Sequence, residues 1–190
     1  MKLFTSLGLA AAILSVGSVQ AEDAAPVQFS SVNHFNAPAV EEVKGVRFSA
    51  LYGQTKDVTG VDFTMLAISE VDNLKGVHFP LLIAGASHVN GNMTGASFGL
   101  WNYHKGNDVG ANIATVNVTN NVKGANLGLV NYSEGYTVFD WSAANFSKKS
   151  NVQLGIFNMT DEIKGAQIGL INCAKNGFLP CFPFVNFAVK

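Results

Sequence analysis

Apolar and polar residues alternate along this chain in short segments that recur at intervals of roughly 13 to 19 residues, an internal repeat. The clearest copies are Val122–Asn131 and Ile163–Asn172, which read VKGANLGLVN and IKGAQIGLIN. With the glycine of each copy numbered position 1 and its last asparagine position 8, apolar residues occupy positions 2, 4 and 6, and position 3 is polar. A period of two is typical of a β-strand, because an amphipathic helix needs apolar residues three and four apart. The pattern predicts an all-β repeat protein.

We predict that the even positions form one apolar face that turns toward a shared interior, whereas the odd face is mixed, with position 3 polar. On this interpretation the aromatic row at position 4 belongs to the core, since large apolar side chains are usually buried. That row begins with Phe48, Phe63, Phe79 and Phe98. A tenth, looser copy is Val27–Asn33. The residues at position 1 of the other copies are Gly45, Gly60, Gly76, Gly95, Gly110, Gly124, Val138, Asn151 and Gly165.

Strand length restricts how these copies can connect. A straight strand from position 1 to position 8 spans roughly 23 Å, and the rest of a copy could barely return over that distance. We therefore expect a β-roll, or solenoid, in which each copy forms half a coil and about 28 to 30 residues complete a turn. An antiparallel meander and a β-barrel are the alternatives. The roll is favoured because glycine and asparagine recur at fixed places, as stacked equivalent sites would require.

The chain divides into four segments. Residues 1–21 have a basic start, an apolar run and the small-residue end Val19-Gln-Ala21, which predicts a secretory signal peptide. Residues 22–42 form a lead-in, residues 43–172 the β-repeat domain, and residues 173–190 a C-terminal cap. Cys173 and Cys181, the only cysteines, flank the start of this cap, and export favours a structural disulfide, with two free thiols as the alternative.

The composition bears on the choice of partners. The formal net charge is −1, which gives no basis for binding nucleic acid. Charged residues make up 13% of the chain, about half the usual share, so the surface is suited to contacting a partner or to self-association.

The sequence contains few candidate catalytic or metal-binding residues. Gly95–Gly99 matches the G-x-S-x-G pattern of a hydrolase nucleophile, but no helix is predicted after Ser97, and sister copies carry Asn, Gln or Asp at this position. The histidines lack zinc-site spacing, so we assign no metal, cofactor or catalytic residue. The residues assigned a structural role are Cys173, Cys181, Asn102, Asn117, Asn131, Asn145, Asn158 and Asn172.

The repeats GASFGLWN, ending at Asn102, and GAQIGLIN, ending at Asn172, resemble those of exported bacterial "surface repeat" proteins of the Leptospira type. The segment Leu179–Phe187, with its prolines and the Asn186-Phe187 ending, is similar to their C-terminal segment. The resemblance implies a location in the envelope or outside a Gram-negative cell and carries over no activity.

These observations predict an exported, non-enzymatic scaffold that binds a protein, glycan or envelope component. Its final compartment, in the periplasm, at the outer membrane and cell surface, or outside the cell, stays open, as does self-association. An outer-membrane barrel or pore is the second hypothesis, and a hydrolase using Ser97 is a distant third.

Overall fold

A computed structural model describes residues 24–82 and 85–189, which form one parallel β-solenoid of about ten turns. The signal peptide predicted over residues 1–21 lies outside the described residues. Within the described part of the chain, no helix is long and apolar enough to span a membrane. The strands are β1 (Ala24–Ser31), β2 (Phe35–Ala37), β3 (Glu42–Ser49), β4 (Tyr52–Thr64), β5 (Ile68–Pro80), β6 (Ala86–Val89), β7 (Met93–His104), β8 (Asn107–Thr119), β9 (Asn121–Leu127), β10 (Val130–Trp141), β11 (Ala144–Leu154), β12 (Phe157–Ala174) and β13 (Cys181–Phe187).

Equivalent positions of successive copies stack directly on one another. Gly45 pairs with Gly60, Gly60 with Gly76, and Gly95 with Gly110, all in parallel register. The lead-in strand β1 joins the same stack by pairing in parallel with β3. The predicted all-β solenoid is therefore confirmed, and the antiparallel meander and the barrel are not the observed topology.

Both ends of the stack are closed by antiparallel strands. β2 pairs antiparallel with β1 at one end, and β13 pairs antiparallel with β12 at the other. Cys173 and Cys181 form a disulfide between the last two strands, as the sequence suggested. β2 pairs with only the last three residues of β1, Phe29–Ser31, and β13 pairs with β12 between Ala166 and Cys173, so these two strands form the outer edges of the stack.

The expectation that each copy forms half a coil is wrong, because each copy forms a complete coil. Positions 6 and 7 both face outward, as Thr115 and Val116 show between the buried residues Ala114 and Asn117. Two successive outward residues mark a corner, where the strand bends instead of continuing straight. The bend shortens the return path, so even the shortest copies are long enough to close a turn.

The predicted orientation of the alternating faces is also wrong. Every described residue at position 3 is buried, whereas the position-4 residues lie outside, where Phe79 is 45% and Trp141 is 61% exposed. The rings of Phe48 and Phe63 still stack, with centroids 5.3 Å apart, but on the outer surface. The buried position-3 residues are Arg47, Asp62, His78, Ser97, Asn112, Asn126, Asp140, Gln153 and Gln167.

A small coil explains why the polar residues lie inside. Each copy closes a coil in 13 to 19 residues, which leaves a narrow interior, and among the described residues no Phe, Tyr or Trp is buried in it. Stacked equivalents, by contrast, give each buried amide an identical neighbour about 4.8 Å away with which to form a hydrogen bond. Close stacking also explains the glycines: Gly76 has a φ of +143°, and a Cβ there would lie 1.9 Å from the carbonyl oxygen of Gly60.

Candidate interaction surface

The asparagines at position 8 form a hydrogen-bonded row through the coil interior. The amide of Asn117 donates to Asn131 Oδ1 over 2.9 Å, and that of Asn131 donates to Asn145 Oδ1 over 3.0 Å. Each amide also reaches a main-chain carbonyl at the corner, with Asn117 donating to Leu127 O at 3.0 Å and Asn145 to Leu154 O at 2.8 Å. All of the asparagines assigned a structural role are fully buried: Asn102, Asn117, Asn131, Asn145, Asn158 and Asn172. Their amide groups join coils to one another and are closed to an external ligand.

A second polar row follows position 3. Asn112 donates to Asn126 Oδ1 over 3.1 Å, Asn126 donates to Asp140 Oδ1 over 3.0 Å, and Gln167 donates to Gln153 Oε1 over 2.7 Å. Asp140 introduces a carboxyl group into this row of amides. Burial raises the pKa of Asp140, although hydrogen bonds from neighbouring hydroxyl and amide groups oppose the shift.

The N-terminal coils place charged groups at the same position. Arg47 Nη1 lies 3.3 Å from Asp62 Oδ1 and donates to Ser69 Oγ over 2.6 Å, and His78 Nδ1 lies 3.1 Å from Asp62 Oδ2. Burial acts to raise the pKa of Asp62, but the hydrogen bond from His78 and the charge of Arg47 outweigh it and hold that pKa below its ordinary value. The cluster is a buried ion pair with satisfied carboxylate oxygens.

A serine, a histidine and an aspartate meet in the next coils with the connectivity of a hydrolase triad. Ser87 Oγ lies 3.2 Å from His104 Nε2, and His104 Nδ1 lies 2.8 Å from Asp108 Oδ2. All three side chains are buried, with Ser87 only 3% exposed. A triad acts on a substrate carbonyl that reaches the hydroxyl, and this arrangement is enclosed by the coil.

Ser97, the sequence candidate for a nucleophile, has no histidine partner among its hydrogen bonds. It is fully buried, and its hydroxyl donates to Asn102 Oδ1 over 3.0 Å. Its neighbour across the stack is Asn112, which occupies the same position 3. The structure therefore places Ser97 in the interior polar row, where its hydroxyl is enclosed by the coil.

The outer surface carries the apolar residues that the sequence assigned to the core. We call the outward side chains around the corner the apolar ridge, formed by positions 4, 6 and 7. Leu129 and Ile156 at position 6 are 60% and 59% exposed. Across the nine copies from Gly45 to Gly165 these three positions carry one polar residue, Thr115, and the looser first copy adds Ser31. The most exposed members of the ridge are Leu51, Met65, Leu66, Phe79, Leu81, Leu82, Leu100, Trp101, Leu129, Trp141, Ile156, Ile168, Leu170 and Ile171.

The opposite corner carries a charged or amide side chain in each coil. Its residues align with Lys105, which is at position 11 of its own copy, although the longer N-terminal copies reach the same place one to four residues later. Lys175 and Asp161 form a pair of opposite sign there at 2.8 Å, and Lys149 pairs with Glu162 at 2.7 Å one position further along the chain. The row, which we call the charged edge, is Lys56, Asp72, Asn90, Lys105, Asn120, Glu134, Lys148, Asp161 and Lys175. The solenoid is thus amphipathic across its coil, with an apolar corner and a charged corner.

A polar cleft of about 420 Å³ opens beside the N-terminal coils, lined in part by Glu41, Gln54 and Glu70. Partial burial acts to raise the pKa of Glu70, but hydrogen bonds, first from Tyr52 and then from Asn90, lower it to about 2. The same contact with Glu70 raises the pKa of Tyr52 to about 12. Glu70 therefore stays ionised throughout the physiological range, and its oxygens are already occupied by protein donors.

The ridge is the exposed apolar surface that the sequence reasoning missed, because its residues were assigned to the core. One signal for it was present: the small residues at position 5 indicate the crowded side of each strand. Among the described residues, no group of three or more His, Cys, Asp or Glu side chains is placed to hold a metal ion.

The chain matches no protein-family model, no curated protein and no solved structure. The resemblance to surface-repeat proteins therefore stays a prediction from the motifs.

Proposed function

We propose that this chain is an exported, non-enzymatic scaffold of the bacterial envelope that binds its partner through the apolar ridge. The observation that carries the proposal is the exposure of Leu100, Leu129, Ile156 and Leu170 at position 6 of the stacked coils, a row that Thr115 and Ala143 interrupt and that exposed apolar residues at positions 4 and 7 flank. Monomeric soluble proteins rarely leave so long an apolar patch uncovered, and larger patches mark interaction sites. The predicted signal peptide and the disulfide between Cys173 and Cys181 support export to an oxidising compartment.

The distribution of polar groups supports a binding role over catalysis. Two histidine–aspartate pairs, His104 with Asp108 and His78 with Asp62, are buried in the coil interior. There each histidine contacts its aspartate across two neighbouring strands. The surface that remains available is apolar on one corner and charged on the other, as expected of a scaffold with a fixed orientation relative to its partner.

Cell fractionation with matched surface variants tests the proposal. The full chain, expressed in a Gram-negative host, is expected in the envelope fraction and should resist a high-salt wash, because apolar contacts are not screened by salt. Leu129→Glu combined with Ile156→Glu should release it. Val109→Glu is the control, since Val109 is 48% exposed and pairs with Lys123 near the charged edge.

If the variant with Leu129→Glu and Ile156→Glu stays in the envelope fraction to the same extent as the wild type, the ridge is not the binding surface. Circular dichroism and thermal unfolding of the purified variants confirm that each is folded. A chain that stays in the cytoplasm would contradict export.

A further inference from the structure

We infer that the apolar ridge inserts into the hydrocarbon region of a single lipid leaflet. This inference rests on the proposed function, because it names the partner of the same surface. Four properties of the coil argue for lipid over a folded protein or a second copy.

The first property is the height of the ridge above the charged edge. On the short side of the coil, position 7 is separated from position 11 by four steps, which span roughly 13 Å. One leaflet contributes about 15 Å, half of the hydrocarbon thickness of a bilayer. In the coils after Gly95, inserting the ridge to that depth would bring the charged edge to the headgroups without burying a charge, whereas Glu70 occupies the intervening position in an earlier coil. In the C-terminal coils the intervening position 9 carries Tyr103, Val118, Tyr132, Phe146 and Met159, with no charged residue.

The second property is that the exposed side chains point in several directions. Trp141 lies before the corner at position 4, Leu129 on the corner at position 6, and Trp101 just after it at position 7, with exposures of 61%, 60% and 47%. A symmetric contact with a second copy covers one patch and would leave another side of this convex ridge in water. A fluid acyl phase can surround all sides. A shallow groove of about 470 Å³, lined by Ile113, Leu127 and the same Leu129 and Trp141, adds room for an acyl chain.

The third property is that the backbone at the apolar corner forms its hydrogen bonds internally. Gly128 N donates to Trp141 O, and Gly155 N donates to Ile168 O, both over 3.0 Å. The Ile168 carbonyl also accepts from the buried amide of Asn158 at 3.0 Å. A chain segment that enters hydrocarbon must satisfy its peptide groups without water, and this corner meets that requirement through the asparagine row.

The fourth property is the balance of charge at the opposite corner. The charged edge combines Lys56, Lys105, Lys148 and Lys175 with Asp72, Glu134 and Asp161. A polybasic surface would select anionic lipid, whereas a row of both signs has little net attraction for it. The inserted apolar area therefore governs binding, and a zwitterionic membrane is sufficient.

Flotation with phosphatidylcholine vesicles tests the inference on protein purified after export, with its N-terminus verified by mass spectrometry. We expect the protein to float with the vesicles and to bind equally well at low and high salt and with added phosphatidylglycerol. Trp101 and Trp141, the only tryptophans, both lie on the ridge, so their emission should shift to the blue. Lipids brominated on the acyl chains should quench it.

Matched variants connect the binding to the ridge. Leu129→Glu should weaken the partition into phosphatidylcholine about tenfold or more, since a buried leucine is replaced by a charge. Val109→Glu should bind as the wild type does. Equal binding of both variants, or no flotation of the wild type, would overturn the inference.

Two outcomes separate this inference from the proposed function. If the chain stays in the envelope and the ridge variant releases it, but purified protein ignores the vesicles, the partner is a protein or glycan and only the lipid assignment fails. If sedimentation shows a dimer whose tryptophans are shielded without lipid, a second copy covers the ridge. That result would also overturn the lipid assignment.

Discussion

The coils before Gly95 and the coils after it fill the same narrow interior in different ways. The N-terminal coils combine a small apolar cluster, which includes Val58, Leu74 and Met93, with the buried pair of Arg47 and Asp62. In the C-terminal coils, rows of asparagine and glutamine occupy most of the interior in place of the apolar cluster and the ion pair. Hydrophobic burial and one ion pair stabilise the first region, whereas repeated amide hydrogen bonds stabilise the second.

The difference follows from the spacing of the repeats. Copies in the C-terminal region are short and nearly equal in length, so equivalent side chains stack and each amide meets another amide. In the N-terminal region the intervals vary and include the longest one, from Gly76 to Gly95. There the stacked position that carries asparagine in later coils is occupied by Gly53, Ser69 and Ser87. A hydrogen-bonded row requires identical neighbours at a fixed distance, whereas apolar side chains tolerate irregular ones.

The largest effect is expected from breaking the buried ion pair. Arg47→Met would leave the Asp62 carboxylate buried without its guanidinium, and removing one partner of such a pair destabilises a protein by about 3–5 kcal/mol. Urea unfolding followed by circular dichroism measures the loss. Lys44→Met is the control, since the Lys44 side chain is 63% exposed, and we expect a change within about 0.5 kcal/mol.

A second substitution tests whether the charge is the cause. Arg47→Met with Asp62→Asn should recover part of the lost stability, because the uncompensated carboxylate is gone. If the single variant Arg47→Met is as stable as the wild type, the N-terminal region does not depend on its ion pair.

The next effect is expected from interrupting the asparagine row. Asn131→Ala would remove the acceptor of the Asn117 amide, and a buried donor left unsatisfied costs about 1–3 kcal/mol. The same urea experiment measures it. Asn120→Ala removes an amide at the charged edge and should have little effect. Similar midpoints for the two variants would show that water or a local shift replaces the row.

The smallest effect is expected at Asp140, a carboxyl group within the amide row. Asp140→Asn would extend the row of Asn112 and Asn126 and should raise the melting temperature at neutral pH. Because burial raises the folded-state pKa of Asp140, its carboxyl contributes most favourably below the unfolded-state pKa of about 3.8. That contribution is lost as the pH rises through the folded-state value.

The advantage of Asp140→Asn should therefore be present above that raised pKa and disappear in acid. Melting curves of both proteins from acidic to neutral pH measure the difference. An advantage that is independent of pH would assign it to packing and not to the buried charge.

Much of this fold could be predicted from the sequence, because strand periodicity and the spacing of Gly45, Gly60 and Gly76 depend on local pattern. The sequence could not show which of the two alternating faces lies inside, because alternation separates residues into two faces but does not orient them. The sequence pattern did not show that the alternation of inward and outward residues shifts by one residue at the corner. With positions 6 and 7 both outward, Asn117 at position 8 lies on the same side as Asn112 at position 3, and the apolar ridge is left outside.

The amides of the asparagine row all donate in one direction. Asn102 donates to the asparagine of the next coil, and the row continues through Asn158 to Asn172, whose own amide reaches Phe182 O in the final strand. A whole coil inserted or deleted between Gly95 and Asn158 would leave both terminal strands with their present partners. The length of this molecule is therefore adjustable by gene duplication in increments of about 4.8 Å. The two ends stay the same as the middle grows or shrinks.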